Sequence, residues 1–170
     1  MFINPLKRAA ARKRIAQLLE EQEPENFSGK VRSLGVIIDN KNLKALEVLR
    51  DLKFHLKIPE EKFFVIVFSA NGRAGKDFES LRFCPNDIDL RAELKNEELK
   101  NFAVKGVDLL ITFAADSNTP VHLLTAYCHA GLKVGRYKEN KPLYDLVIQA
   151  EEVSLFREEL LKYLKHIKRT

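Results

Sequence analysis

The sequence predicts an α/β protein, built as a three-layer α/β/α sandwich around an open, mostly parallel sheet. Its 170 residues, of which 45% are hydrophobic, suffice for one compact domain with a sizeable core. Short apolar runs of strand length alternate with segments whose apolar residues recur at helical spacing. The segment Val107–Gly135 gives a strand, a polar loop, a helix and a second strand in direct succession. These observations predict a single domain, residues 1–170, with a Rossmann-like sheet.

The elements follow in chain order. Residues 1–28 are expected to form a basic helix and a connector, and residues 29–170 the body that contains the sheet. In this body, an apolar run at residues 34–38 predicts a strand, and leucines spaced by three and four over residues 43–56 predict a helix. Another apolar run, at residues 63–68, predicts the next strand. The first half therefore contains a strand, helix and strand unit.

The segment Val107–Gly135 is predicted to repeat this geometry, and further elements are predicted between the two units and after the second. Residues 81–83 suggest a short edge strand, residues 97–104 a helix, and residues 146–148 the last strand. A stripe of apolar residues predicts a terminal helix. The stripe consists of Val153, Phe156, Leu160, Tyr163, Leu164 and Ile167.

The segment Val107–Gly135 carries the most detailed predictions. Thr119 is the expected N-cap of its helix, with Pro120 at the first helical position, where no N–H is required. Val121, Leu124 and Cys128 are expected to share the apolar face, and Gly131 to end the helix in a left-handed conformation. A right-handed parallel crossover then places the loop after the first strand at the carboxyl end of the sheet.

The candidate ligand site follows from this placement. Open α/β sheets bind ligands outside the carboxyl ends of their strands, where the winding direction reverses. Free N–H groups at the start of the helix after Thr119 favour an anion. The carboxylates of Asp39 and Asp116 instead favour a sugar hydroxyl or a divalent cation that bridges to phosphate. The alternative is that these residues only cap helices and turn the chain. The candidate residues are Asp39, Asn40, Asp116, Ser117, Asn118 and Thr119.

No catalytic motif is complete, and no cofactor or metal is assigned. The group Gly72, Gly75, Lys76 and Asp77 lacks the spacing and the following Ser or Thr of a phosphate-binding loop. The motifs GxGxxG after a strand, GxSxG and HExxH are absent. His122 and His129 lie seven residues apart, with no third metal ligand at a matching spacing.

Charge and cysteine content bear on partners and location. The net charge is +5, and basic residues gather in both terminal helices, so that the rest of the chain is mildly acidic. If these helices pack side by side, they form one patch for RNA, a ribosome or an acidic protein surface; solvated helix faces are the alternative. Few cysteines and no apolar signal or membrane span predict a cytoplasmic protein. The basic residues are Lys7, Arg8, Arg12, Lys13, Arg14, Lys162, Lys165, Lys168 and Arg169.

Two resemblances accompany these patterns. The succession SLGVIID, FFVIVF, FCPNDIDL, VDLLITF and AGLKVG resembles an uncharacterised family of small bacterial α/β proteins, which implies no established activity. The segments VIIDNKNL and AADSNTPVHLLTAYCHAGLKVG are similar to NYN/PIN-type ribonucleases, which bind a metal through carboxylates. This likeness implies metal-binding roles for Asp39 and Asp116, but Asn118 stands at the position of a further acid. Asp77, Asp87 or Asp89 would have to complete the cluster.

These observations rank the functional hypotheses. The preferred one is a noncatalytic α/β binding or interaction module, because the core is well formed and no catalytic set is complete. The rival is a metal-dependent ribonuclease that uses Asp39 and Asp116. The third is contact with nucleic acid or a ribosome through the basic terminal helices.

Overall fold

The computed structural model describes residues 4–23, 25–72, 80–138 and 142–168 of the chain. These residues form six strands and five α-helices. The strands are β1 (Leu34–Asp39), β2 (Phe63–Phe68), β3 (Leu81–Phe83), β4 (Val107–Phe113), β5 (Ala130–Gly135) and β6 (Leu146–Val147). The helices are α1 (Pro5–Glu21), α2 (Leu43–His55), α3 (Glu97–Lys105), α4 (Thr119–Tyr127) and α5 (Val153–Lys168).

The six strands form one open sheet in the order β3-β2-β1-β4-β5-β6, and all pairs of neighbouring strands are parallel. The chain winds outward from β1 through β2 to β3, then returns to the other side of β1 and continues through β4, β5 and β6. The reversal therefore falls between β1 and β4, which are hydrogen-bonded neighbours. The predicted fold class is confirmed, including β3 as an edge strand.

Helices cover both faces of the sheet. On one face, α3 and α4 pack on Ile37, Ile66 and Leu110, and α1 lies in the same apolar cluster. On the other face, α2 and α5 pack on the alternate strand residues, such as Val36 and Ile111. Side chains on both sides of β1 and β4 are therefore buried, which explains their nearly continuous apolar runs.

This layering bears on whether the terminal helices form one basic patch, which the sequence leaves open. Ala11 and Leu18 of α1 belong to the cluster on one face of the sheet, and Phe156 and Leu160 of α5 belong to the cluster on the other. The two helices therefore do not pack side by side, and they cannot form one basic patch. The apolar stripe of α5 shows that this helix packs on the sheet, but it does not specify which face it covers.

The predictions for α4 need three corrections. Asn118 is the N-cap and makes no side-chain cap bond, while Thr119 is already helical. All but the last residue of α4 are buried, because α1 covers the side of α4 that faces away from the sheet. Cys128 closes the helix in an extended conformation, so Gly131 lies inside β5 rather than at the helix end.

Packing rather than left-handed backbone explains the glycine at position 131. A Cβ there would come within 2.9 Å of the carbonyl oxygen of Asp108 in the neighbouring strand. The positive φ that favours glycine after a helix instead occurs after α3, where Gly106 has φ 70°.

Of the glycine-rich group at residues 72–77, Gly75, Lys76 and Asp77 lie outside the described residues. Within the described ranges, no helix has the length and apolar character required to cross a bilayer.

Candidate functional site

The carboxyl ends of β1 and β4 bring two predicted site residues into direct contact. Ile38 pairs with Phe113 in the sheet, so that the residues that follow these strands share one edge. Asp39 ends β1, and Asn118 lies at the start of α4. The side-chain Nδ2 of Asn118 donates a hydrogen bond of 2.6 Å to Oδ2 of Asp39. The sheet edge at the winding reversal thus carries a carboxylate–amide pair.

This contact fixes the orientation of both side chains. The other carboxylate oxygen of Asp39 accepts the backbone N–H of Lys41 at 2.9 Å. The Asn118 amide must present its NH2 group to the carboxylate, since its oxygen would repel Asp39 there. Asn118 is only 2% exposed, and its Oδ1 is buried without a hydrogen-bond partner among the described residues. The structure therefore leaves a buried acceptor oxygen unpaired at this edge of the sheet, which is costly for a buried polar atom.

The start of α4 offers little to an anion. The backbone N–H of Thr119 is bonded to the Ser117 carbonyl at 2.9 Å, and that of His122 to the Asn118 carbonyl at 3.3 Å. Pro120 has no N–H. Most of the groups that would bind phosphate at a helix N-terminus are thus absent or already paired, contrary to the expectation from sequence. Asn40, Asp116 and Ser117 are exposed at the same edge.

A buried histidine holds the loop between β4 and α4. His122 is 4% exposed, and its Nε2 lies 3.1 Å from the carbonyl oxygen of Ala115. Because a carbonyl only accepts, Nε2 carries the proton and donates it. Nδ1 is then the acceptor for the hydroxyl of Tyr144, 2.7 Å away. Desolvation by burial lowers the pKa of His122, so that the imidazole is neutral and supports the loop from beneath.

The ring of Tyr144 completes this support. It contacts His122 edge-on, with the ring centroids 5.8 Å apart, and it packs directly over Gly135. Beside it, the hydroxyls of Thr112 and Thr125 lie 2.7 Å apart, and Thr125 donates to the carbonyl of Val121. Burial raises the pKa of Tyr144, and the phenol remains a donor. The network ties β4, α4 and the loop before β6 together.

We expect His122 to make stability fall as the pH drops below about 6.5, the usual pKa of histidine in an unfolded chain. In this range the unfolded chain takes up a proton that the folded chain rejects, because the folded pKa is lowered. The free energy of unfolding should fall by up to about 1.4 kcal/mol per pH unit until the pH reaches the folded pKa.

Urea unfolding between pH 5.5 and 7.5 measures this slope. His122→Gln should remove it, whatever the variant's overall stability, whereas His166→Gln at an exposed position should keep it. An unchanged slope in the His122 variant would show that other groups cause the pH dependence.

Arg136 is a residue of this edge that the sequence analysis missed. It follows β5 directly, and its guanidinium lies over the Phe113 ring, 4.1 Å from the centroid. Its Nη2 donates to the carbonyls of Ala150 and Glu151, and its Nε is buried with no partner in the described part of the chain. The signal that could have identified Arg136 is its position directly after β5, which corresponds to the position of Asn40 after β1.

The acidic residues of the nuclease hypothesis are only partly brought together. Asp39 ends β1 and Asp116 follows β4, so both lie at the same edge of the sheet. Asp87 accepts the backbone N–H of Cys84, and Asp89 accepts those of Arg91 and Glu93 within its own turn. Asp77 lies outside the described residues. Across residues 4–23, 25–72, 80–138 and 142–168, no group of three or more His, Cys, Asp and Glu side chains could hold a metal ion.

The basic residues of the terminal helices are divided between two faces of the sheet. On α1, Lys7 donates to the carbonyl of Pro85, and Arg14 donates to the hydroxyl of Tyr127. On α5, Lys162 pairs with Glu159 at 3.3 Å. Arg8 is partly buried, and Arg169 and the side chain of Lys168 lie outside the described part of the chain. The exposed basic residues in this set are Arg12, Lys13 and Lys165, together with Lys162.

The sheet order and this edge define a Rossmann-like α/β protein with a polar Asp39–Asn118 pair at the winding reversal. Comparison with known families assigns the chain to one of them. It belongs to DUF6913, a family of unknown function, whose model matches residues 7–167. No curated protein matches the chain, and neither does any solved structure.

Proposed function

We propose that this protein is a noncatalytic binding module that takes a hydroxyl-bearing small ligand, such as a sugar or a nucleoside, in the crevice between β1 and β4. The observation that carries the proposal is the buried and unpaired Oδ1 of Asn118 beside the carboxylate of Asp39. Both groups are acceptors, so they favour a ligand that donates hydrogen bonds.

A ribose diol suits this pair better than a bare anion. A carboxylate can accept two neighbouring hydroxyls, and acidic residues hold ribose in this way in related sheet topologies. A phosphate would meet the negative charge of Asp39 and the paired N–H groups of Thr119 and His122. Hydrogen bonds to a charged acceptor each contribute about 1.5–3 kcal/mol, which makes Asp39 the dominant contact.

Titration calorimetry with adenosine as the probe tests this proposal. Asp39→Asn keeps the size of the side chain but removes its charge, and we expect it to weaken adenosine binding by about 10- to 100-fold. Glu47→Gln, which removes the charge of an exposed carboxylate on α2, is the matched control and should bind as the unaltered protein does. Ribose and AMP serve as further probes.

The results separate the alternatives. Equal affinity of Asp39→Asn and the unaltered protein would place the ligand elsewhere. Absence of binding for adenosine, ribose and AMP alike would reject the proposal.

A metal-dependent ribonuclease is the second candidate, favoured by the position of Asp39 and Asp116 at the same edge of the sheet. A divalent ion at Asp39 would compete with the Nδ2 group of Asn118 for one carboxylate oxygen. Manganese with a labelled single-stranded RNA provides the test. Cleavage that requires manganese and is lost in Asp39→Asn supports the enzyme, whereas intact RNA supports the binding module.

Nucleic-acid or ribosome contact and a cytoplasmic location complete the proposal. Any phosphate contact would use one terminal helix at a time, and the exposed Arg12 and Lys13 make α1 the better candidate. An acidic protein surface would bind to the same residues of α1.

Cys84 and Cys128 are both free thiols, which suits a location in a reducing compartment.

A further inference from the structure

Lys133 is a buried lysine in the wall of a second cavity. It lies in β5 and is only 7% exposed. The cavity has a volume of about 560 Å³, which is in the size class of small-ligand sites. It opens between the end of α1, β5 and residues 142–145, and it shares no lining residue with the crevice at Asp39.

The ammonium group of Lys133 has few hydrogen-bond partners. Its Nζ donates one long hydrogen bond, 3.5 Å, to Oε1 of Gln22. The Nε2 group of Gln22 donates to the carbonyl of Ala126, which directs its oxygen toward Lys133. Within the described ranges, no carboxylate oxygen lies within 4.0 Å of Nζ, which is the distance limit for an ion pair. A charged lysine is poorly solvated in this position.

The charged groups around the cavity do not offset this burial. Desolvation by burial is the largest effect on the pKa of Lys133 and lowers it, whereas Cys128, Asp145 and Glu25 raise it by less. Cys128 is a neutral thiol, because burial raises its pKa to about 12. The wall also includes Glu21, Glu23 and His129. A lysine desolvated in this way keeps a larger fraction of its amine neutral, and a neutral amine is a nucleophile.

We propose that Lys133 captures a small, uncharged aldehyde or ketone in this cavity as an imine. The lone pair of Nζ attacks the carbonyl carbon, and a proton moves from nitrogen to oxygen to give a carbinolamine. Loss of the hydroxyl group with the remaining amine proton releases one water and leaves a C=N bond. The acidic wall disfavours anionic carbonyl compounds such as keto acids.

Reductive trapping tests the proposal. The native protein is treated at pH 7 with benzaldehyde and sodium cyanoborohydride, and the modified lysines are mapped by peptide mass spectrometry. We expect Lys133 to be labelled at least about ten-fold faster than the exposed Lys95 and Lys105. Glyoxylate, an anionic aldehyde, should lose this preference.

Variants and pH give the decisive comparisons. Lys133→Met should lose the fast site and melt no lower than the unaltered protein, and Lys105→Met should keep the fast site. Between pH 7 and 9, the ratio of Lys133 labelling to the labelling of exposed lysines should fall, because the neutral fraction of the exposed amines rises more steeply in this range. Labelling of Lys133 no faster than that of exposed lysines, or only after unfolding, would overturn the proposal.

Discussion

Phe156→Ala should destabilise the folded protein by about 3–5 kcal/mol, the usual loss for a large buried aromatic side chain. Phe156 lies on α5 and is 0% exposed. Its ring meets that of Phe113 edge to face, with centroids 5.4 Å apart. The guanidinium of Arg136 also lies over the Phe113 ring. Truncation would therefore leave a cavity under the sheet edge that carries the crevice.

Urea unfolding measures this loss. Leu155→Ala on the same helix is the matched control, because Leu155 is 47% exposed and its truncation should change stability by less than about 1 kcal/mol. A loss in Phe156→Ala as small as in the control would mean that α5 does not pack on the sheet as described.

Gly135→Ala is the second change with a large expected effect, a loss of about 1–3 kcal/mol. An added Cβ would lie 2.6 Å from Cγ of the Tyr144 ring, far inside contact distance. The ring would have to move, and the hydrogen bond from Tyr144 to His122 would be strained or broken. The loop between β4 and α4 would lose part of its support.

A double-mutant cycle isolates this clash. In a Tyr144→Ala background, Gly135→Ala should cost much less than it does in the unaltered protein, because the ring it meets is gone. The difference is read from urea midpoints at pH 7.5, where His122 is neutral in both folded and unfolded chains. Additive effects of the two substitutions would contradict the packing of Tyr144 on Gly135.

The strands and the edge that carries the site could be predicted from sequence because they rest on local patterns. Continuous apolar runs identify β1 and β4, and parallel crossovers place their following loops at one edge. These patterns therefore predict Asp39 and Asn118 at the same edge. Their direct hydrogen bond could not be foreseen, since it depends on side-chain orientation and on the neighbour relation of β1 and β4.

Other features depend on tertiary packing and left no local signal. The burial of α4 on all sides follows from α1 lying over it, which its amphipathic pattern does not reveal. Lys133 lies in β5 at a position where the alternation of apolar and polar residues predicts an exposed side chain. In the structure, however, α1 and α4 cover that face of the sheet. Arg136 is fixed by the Phe113 ring and by two carbonyls from a distant loop. Sequence spacing carries no information about such contacts.

The side-chain amide of Asn118 gives the most direct test of the ligand site. In ¹⁵N-labelled protein, its NH2 resonances should be assigned by their loss in Asn118→Ser. Addition of adenosine should shift these resonances and the backbone amide of Lys41, which is bonded to Asp39. Amides of residues 129–133, near the second cavity, should stay in place. Shifts confined to that cavity, or none at saturating adenosine, would contradict a hydroxyl-binding site at Asp39 and Asn118.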